Sequence, residues 1–213
     1  MEQRSIRVTA KRDKRVAINV IPGHFATNHS HVNYYVDMTD VKCQAAMAKA
    51  AAALLADTPL QMTPVDTIIC LEGTEVLGAF LADWLSHAGT RSPNAGGDIN
   101  LITPERNANN QMIFRDNLQP MVWNKNILLL IASASTGKTI NRSMECLQYY
   151  GGALTGIAAV FSAITEYSGV PVYSLFTRGD LPDYTTCPFH ECAQCREGRK
   201  IDALVNSYGY SRL

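Results

Sequence analysis

Between Ser133 and Thr139 the chain reads Ser-Ala-Ser-Thr-Gly-Lys-Thr. The hydroxyls of Ser133, Ser135, Thr136 and Thr139, the backbone N–H groups beside Ala134 and Gly137, and the Lys138 ammonium are the groups that hold a phosphate. A second constellation is Cys187-Pro-Phe-His-Glu-Cys-Ala-Gln-Cys195. Cys192 and Cys195 are spaced C-x-x-C, and Cys187 and His190 C-x-x-H. Thiolates and imidazole in this number suit tetrahedral zinc. All four ligands within nine residues is tight beside the two separated pairs of usual sites, so reduced thiols and a redox disulfide stay open. A third is Glu72-Gly73-Thr74-Glu75, with Gly78 after it, where a turn offers backbone amides to an anion.

The elements that must carry these groups are readable. Asn126 to Ala132 is a continuous apolar run, as expected for a strand covered on both faces. Ile140 to Tyr150 has helical composition, and Gly151-Gly152 stops it. Strand, small polar loop and helix together point N–H groups at a phosphate. Thr67 to Leu71 is a second buried strand, followed by the Glu72 turn and an apolar helix, Ala79 to His87. Upstream, Arg4 to Arg15 is a basic tail or charged edge strand, and Val16 to Ile21 a short strand. Gly23 to Asp37 is a polar, histidine-rich loop that becomes strand-like. Asp40 is placed to cap a helix from Val41 to Ala56. A loop follows at 91–97, a strand at Asn100 to Thr103, and a long polar connection from Pro104 to Trp123, of the length that lids have. Ala153 to Ile164 and Val170 to Phe176 complete the strands. The pattern predicts an α/β fold with a doubly wound parallel sheet, whose ligands sit at the carboxyl ends of the strands.

Three readings stand for the Ser133 loop. A Walker A loop needs a glycine where Ala132 stands, and no Asp-ended apolar strand follows to hold magnesium. An ordinary strand–loop–helix turn without ligand is the plain alternative. The third is a resemblance. Ser135-Thr136-Gly137-Lys138-Thr139 resembles the loop of the type I phosphoribosyltransferases that binds phosphoribosyl diphosphate (PRPP), and the order Gly23, Phe25, Ser30, Tyr34, Tyr35, Asp37 resembles the orotate phosphoribosyltransferase branch. Gly73 and Gly78 resemble the glycines of the family's diphosphate turn, and Cys192, Cys195 and Gly198 a tail found in some relatives.

The resemblance spans about residues 20 to 200 and implies a phosphoribosyltransferase-like domain over 1–180, with a hood or base-side segment at 16–40, and a Cys-rich extension, 181–213, packed on it. It implies transfer of phosphoribosyl from PRPP to a nitrogen base, an orotate-type pyrimidine foremost, with release of diphosphate. Magnesium would lie on the diphosphate and ribose hydroxyls, and the chain would pair as a homodimer. It assigns phosphate binding to Ser133 through Thr139, diphosphate binding to Glu72, Gly73, Thr74 and Glu75, and the base side to Phe25, Ser30, Tyr34 and Tyr35. Two departures stand out. The acidic pair that ends the family's strand and holds the ribose hydroxyls is replaced by Ile131-Ala132. The family's lid carries Lys and a His-Gly pair; here Arg106 and Arg115 are the basic residues in its place. A non-catalytic relative that binds PRPP or a nucleoside monophosphate is therefore the competing function. Since the strand end is expected to face the crevice, Asp at 131 and 132 should be tolerated there.

Composition sets the remaining bounds. The 213 residues are 46% hydrophobic with formal net charge zero, enough for one core and without the field expected of a nucleic-acid or membrane binder. No apolar run is long enough for a bilayer, and the charged N-terminal residues do not form a signal peptide, so a cytoplasmic setting is expected.

Overall fold

The computed structural model describes residues 2–89, 92–108 and 111–213; Arg91 of the 91–97 loop and Asn109 and Asn110 of the expected lid lie outside them. In chain order the elements are β1 (Ile6–Thr9), β2 (Ala17–Ala26), β3 (His31–Asp37), α1 (Thr39–Cys43), α2 (Ala45–Ala56), β4 (Thr67–Cys70), α3 (Glu75–Ser86), β5 (Asn100–Ile102), β6 (Glu105–Arg106), β7 (Met112–Ile113), β8 (Asn126–Ala134), α4 (Lys138–Tyr150), β9 (Ala153–Ser162), β10 (Glu166–Tyr167), β11 (Val170–Thr177), β12 (Thr186–Cys187), α5 (Ala193–Arg196), β13 (Ala203–Asn206) and β14 (Gly209–Arg212).

The central sheet has the order β10-β11-β9-β8-β4-β5. β11, β9, β8, β4 and β5 run parallel, and β10 turns back as an antiparallel edge. Counting the parallel strands along the chain gives the spatial order 2-1-3-4-5, so the direction of winding reverses between β4 and β8. In such sheets the crevice opens outside the carboxyl ends of the strands at that reversal.

Alternate residues of β4, β8 and β9 enter two cores. Ile68, Cys70, Leu128, Leu130, Ala158 and Val160 pack with α2, α3 and the N-terminal strands. Ile69, Ile127, Leu129, Ile131, Ile157 and Ala159 pack with α4 and the segment around Met112 and Phe114. Burial on both faces explains why β8 is apolar without alternation.

A second sheet, β12-β3-β2-β13-β14 with β1 also on β2, joins the two ends of the chain. The 181–213 segment supplies three of its strands, so it is woven into the sheet that holds residues 17–37. Within β2, the register shifts between Pro22 and Phe25. Pro22 has no N–H for the ladder. A Cβ at Gly23 would meet the Asp202 carboxylate and the Phe25 ring. The bulge leaves the His24 N–H donating to Asp202 Oδ2 at 2.9 Å and aims the His24 ring at the tail.

Three local expectations are corrected. The helix expected over 41–56 is broken at Gln44, which is extended. Met38, not Asp40, is the N-cap, and Asp37 just before it accepts from the Thr39 N–H at 3.0 Å and hydroxyl at 2.6 Å. Helix α3 begins at Glu75, which puts Gly78 inside the helix against Cys70 and Leu101 rather than in the turn. The long connection forms a short hairpin, β6–β7, fixed to α4: Met112 and Phe114 are buried, and the Phe114 ring meets Tyr150 edge-on.

Candidate functional site

A cleft of about 330 Å³ opens at the reversal point, at the carboxyl ends of β4 and β8. Its floor is the whole Ser133–Thr139 loop. One wall is the 27–30 turn with Tyr34 and Tyr35, and Glu72, Arg106, Arg142, Tyr184 and Tyr208 close the sides.

The loop gathers hydrogen-bond donors at the N-terminus of α4. β8 pairs with β9 out to Ala134↔Ser162, so the turn must close within three residues. Gly137 does this at φ +74° as the N-cap of α4, where a side chain would be strained and would also collide with the Tyr167 ring. The first amides of this helix of 13 residues have no intrahelical acceptor and carry the positive end of its dipole. Lys138 and Arg142 stand one helical turn apart at this end. Together with partial burial, which acts most strongly, their charges hold His29 below the usual histidine range. Three nitrogenous side chains thus converge above the loop. Burial pushes the Tyr184 phenol up, and its hydrogen bond with Ser135 restrains the rise.

Across the cleft, Glu72 adopts φ +62° in the turn that follows β4. Its Oε2 accepts from the backbone N–H of Ala132 at 3.1 Å and of Ser133 at 3.3 Å. The Lys42 ammonium, buried under Tyr208, donates to the carbonyls of Glu72 at 3.2 Å and Ser207 at 2.5 Å. The β4–α3 turn is therefore clamped to β8 by one charge and to the β13–β14 turn by another.

Ile131 and Ala132 are both 0% exposed, one in each core. The expectation that they face the crevice is wrong, because β8 continues two residues further, to Ala134, before the chain reaches the cleft. Magnesium needs hard oxygen ligands. Glu72 is the one carboxylate lining the cleft among the described residues, and its Oε2 is already bonded to two amides. The donor set does not fit a magnesium ion held by protein carboxylates.

No family model and no curated protein sequence matches the chain. Solved structures do. Orotate phosphoribosyltransferase from Aeropyrum pernix superposes with a TM-score of 0.53 at 18% identity, covering 76% of this chain and 90% of that one. A phosphoribosyltransferase from Corynebacterium diphtheriae gives 0.50 at 18% identity, with 76% and 90% covered. Adenine phosphoribosyltransferase from Rhodothermus marinus gives 0.52 at 14% identity, with 83% and 95% covered. The chain has the type I phosphoribosyltransferase fold.

Within that fold the residues singled out from sequence separate. Ser133 through Thr139 all line the cleft, as do Ser30, Tyr34 and Tyr35. Phe25 does not; it is fully buried and packs on Tyr35 from behind. Of the four residues in the β4–α3 turn, Glu72 alone reaches the cleft. Thr74 is buried and donates to the Leu71 carbonyl at 2.9 Å and the Leu130 carbonyl at 3.2 Å, and Glu75 accepts from the Thr103 hydroxyl at 3.2 Å. Arg106 lines the cleft, whereas Arg115 is held away by a bidentate bond to Glu105 at 3.1 and 2.7 Å. Sequence reading missed His29, Arg142, Tyr184 and Tyr208. Only Arg142 had a local signal, its spacing of four from Lys138 on one helix face.

The tail behaves differently from its spacing. Cys192 and Cys195 meet His24 and His31, whose ligand atoms lie with theirs within 4.8 Å of one another. Cys187 pairs across the ladder with His31, and its thiol lies beside that of Cys192 without joining the set. His190 is on the surface, 3.6 Å from the Glu191 carboxylate.

Proposed function

We propose that the cleft binds a phosphoribosyl compound, PRPP or a nucleoside monophosphate, with the 5′-phosphate in the Ser133–Thr139 loop and the base toward Tyr34 and Tyr35. The observation that carries this reading is the convergence of the hydroxyl-rich loop, the α4 N-terminus, Lys138 and Arg142 on one cleft at the winding reversal. The reaction class is transfer of phosphoribosyl from PRPP to a nitrogen base, an orotate-type pyrimidine foremost. The C1–N bond forms as the bond from C1 to diphosphate breaks. The chain's contribution is positioning and electrostatic stabilisation of the cationic sugar. It lacks the carboxylates that would hold the ribose hydroxyls, and losing two charge-assisted bonds of about 1.5–3 kcal/mol each makes turnover slow.

The burial of Ile131 and Ala132 favours a second reading, a nucleotide-binding relative without transferase activity. Two measurements separate them. Calorimetry with nucleoside monophosphates should show binding that depends on Lys138 under both readings. Diphosphate release from PRPP, with magnesium and a panel of bases, should be slow but above background under the first and absent under the second. No binding of any phosphoribosyl compound would remove both.

A further inference from the structure

We propose that His24, His31, Cys192 and Cys195 bind one zinc ion in a tetrahedral site that fastens the tail to the wall of the cleft. The four come from three places: the bulge of β2, the start of β3, and α5 with its N-cap Cys192. His24 Nε2 lies 3.0 Å from His31 Nδ1, 3.4 Å from Cys192 Sγ and 3.6 Å from Cys195 Sγ, and His31 Nδ1 lies 3.3 Å from Cys195 Sγ. Ideal tetrahedral zinc, with bonds of about 2.05 Å to nitrogen and about 2.3 Å to sulfur, sets N···N near about 3.4 Å and N···S near about 3.6 Å. Four of the six edges of such a tetrahedron are thus close to these values, and all four ligand atoms lie within 4.8 Å of one another.

The surroundings orient the ligands. His24 Nδ1 lies 3.0 Å from the Arg199 carbonyl, so Nδ1 carries the proton and Nε2 presents its lone pair to the site. A backbone carbonyl on the far nitrogen is how metal-bound imidazoles are held. His24 is 2% exposed and Cys192 4%, while Cys195 is exposed, so the ion would be shielded from water on one side. Two thiolates with two imidazoles select zinc over the hard cations. Binding releases the two thiol protons to solvent and leaves both imidazoles neutral.

The tail gives a reason for an ion. From Pro188 to Lys200, Cys192 is the one buried side chain, and α5 has four residues. Neither hydrophobic burial nor helix formation on that scale fixes a segment of this length, and small elements of this kind are commonly stapled by a metal. The site also bears on the cleft, because His24 and His31 flank the 27–30 turn that forms one wall. Metal loading would order that wall.

The test is metal analysis of the full chain purified without added metal, followed by stripping and titration with cobalt(II). About one zinc per chain is expected, and cobalt should give the intense visible bands and sulfur-to-metal charge transfer of a tetrahedral thiolate site. Cys192→Ser, Cys195→Ser, His24→Ala and His31→Ala should each weaken binding roughly tenfold or more, whereas Cys187→Ser and His190→Ala should not. No zinc in the purified chain, together with only weak octahedral cobalt bands, overturns the proposal. Loss of metal in Cys187→Ser with retention in His31→Ala overturns the donor set. If a ligand variant fails to fold, the cobalt spectrum of the wild-type chain decides alone.

Discussion

The Glu72 carboxylate caps the Ala132 amide, 3.1 Å away, across the point where the sheet reverses its winding. The same oxygen takes the Ser133 N–H, and the residue holds φ +62° to do so. A left-handed non-glycine residue stores strain of about 1 kcal/mol or more that its bonds must offset. Glu72→Ala should therefore destabilise the protein by about 1–3 kcal/mol, because the buried Ala132 amide and the half-buried Ser133 amide lose their acceptor and the strain stays. Glu72→Gly loses the same bonds but relieves the strain, so it should be less damaging than Glu72→Ala by about 1 kcal/mol. Urea unfolding of both variants checks the order. The reverse order would show that the left-handed conformation of Glu72 stores no strain for glycine to relieve.

Ile131→Asp with Ala132→Asp should not restore a ribose site. Both positions are fully buried, in opposite cores, so each carboxylate would be placed in apolar surroundings without a partner. The expected cost is on the order of 3–5 kcal/mol for each. Thermal unfolding would show a collapse in Tm, and diphosphate release should not rise. A stable double variant with raised turnover would mean that β8 ends earlier in solution than at Ala134.

The unit from Asn126 to Gly152 was legible because each of its signals is local: an unbroken apolar run, a small hydroxyl-rich turn, and a glycine pair past the helix. Even there the end of β8 was misplaced by two residues, since it is set by pairing with β9 out to Ser162 and not by β8's own composition. The break at Gln44 has no local signal, since glutamine is a good helix former, yet here it is extended, ending α1 and preceding α2. The partners of Cys192 were hidden for a stronger reason. His24 is 168 positions away and reaches it only because Pro22 and Gly23 bulge β2 and β13 joins that strand in parallel. No spacing rule within the tail carries that information.

Thiol chemistry should divide the cysteines by environment. Burial pushes Cys146 up to about 11 and Cys70 up to about 12. At pH 8 about one Cys146 in a thousand is then a thiolate, and fewer still of Cys70, so both should react slowly and accelerate as pH rises toward those values. Of Cys43, Cys70 and Cys146, the exposed Cys43 should be modified first. Peptide mapping after a brief alkylation checks this. Rapid labelling of Cys70 in the folded chain would contradict its placement at the end of β4 against Gly78 of α3.

The phosphate loop gives the sharpest functional outcome. Lys138→Ala and Arg142→Ala should each weaken binding of a nucleoside monophosphate by about 1–3 kcal/mol, the worth of a charge-assisted contact, and should flatten its dependence on salt. Gly137→Ala should act through the backbone instead. It forces a side chain into a left-handed position against the Tyr167 ring, so binding and stability should fall together. Shortening Tyr167 as well, in Gly137→Ala/Tyr167→Ala, removes the clash but not the backbone cost, so stability should recover only in part. Calorimetry against sulfate and a nucleoside monophosphate, run beside unfolding curves, separates the two effects. Unchanged affinity in Lys138→Ala and Arg142→Ala would move the phosphate away from the α4 N-terminus and leave the cleft without its assigned ligand.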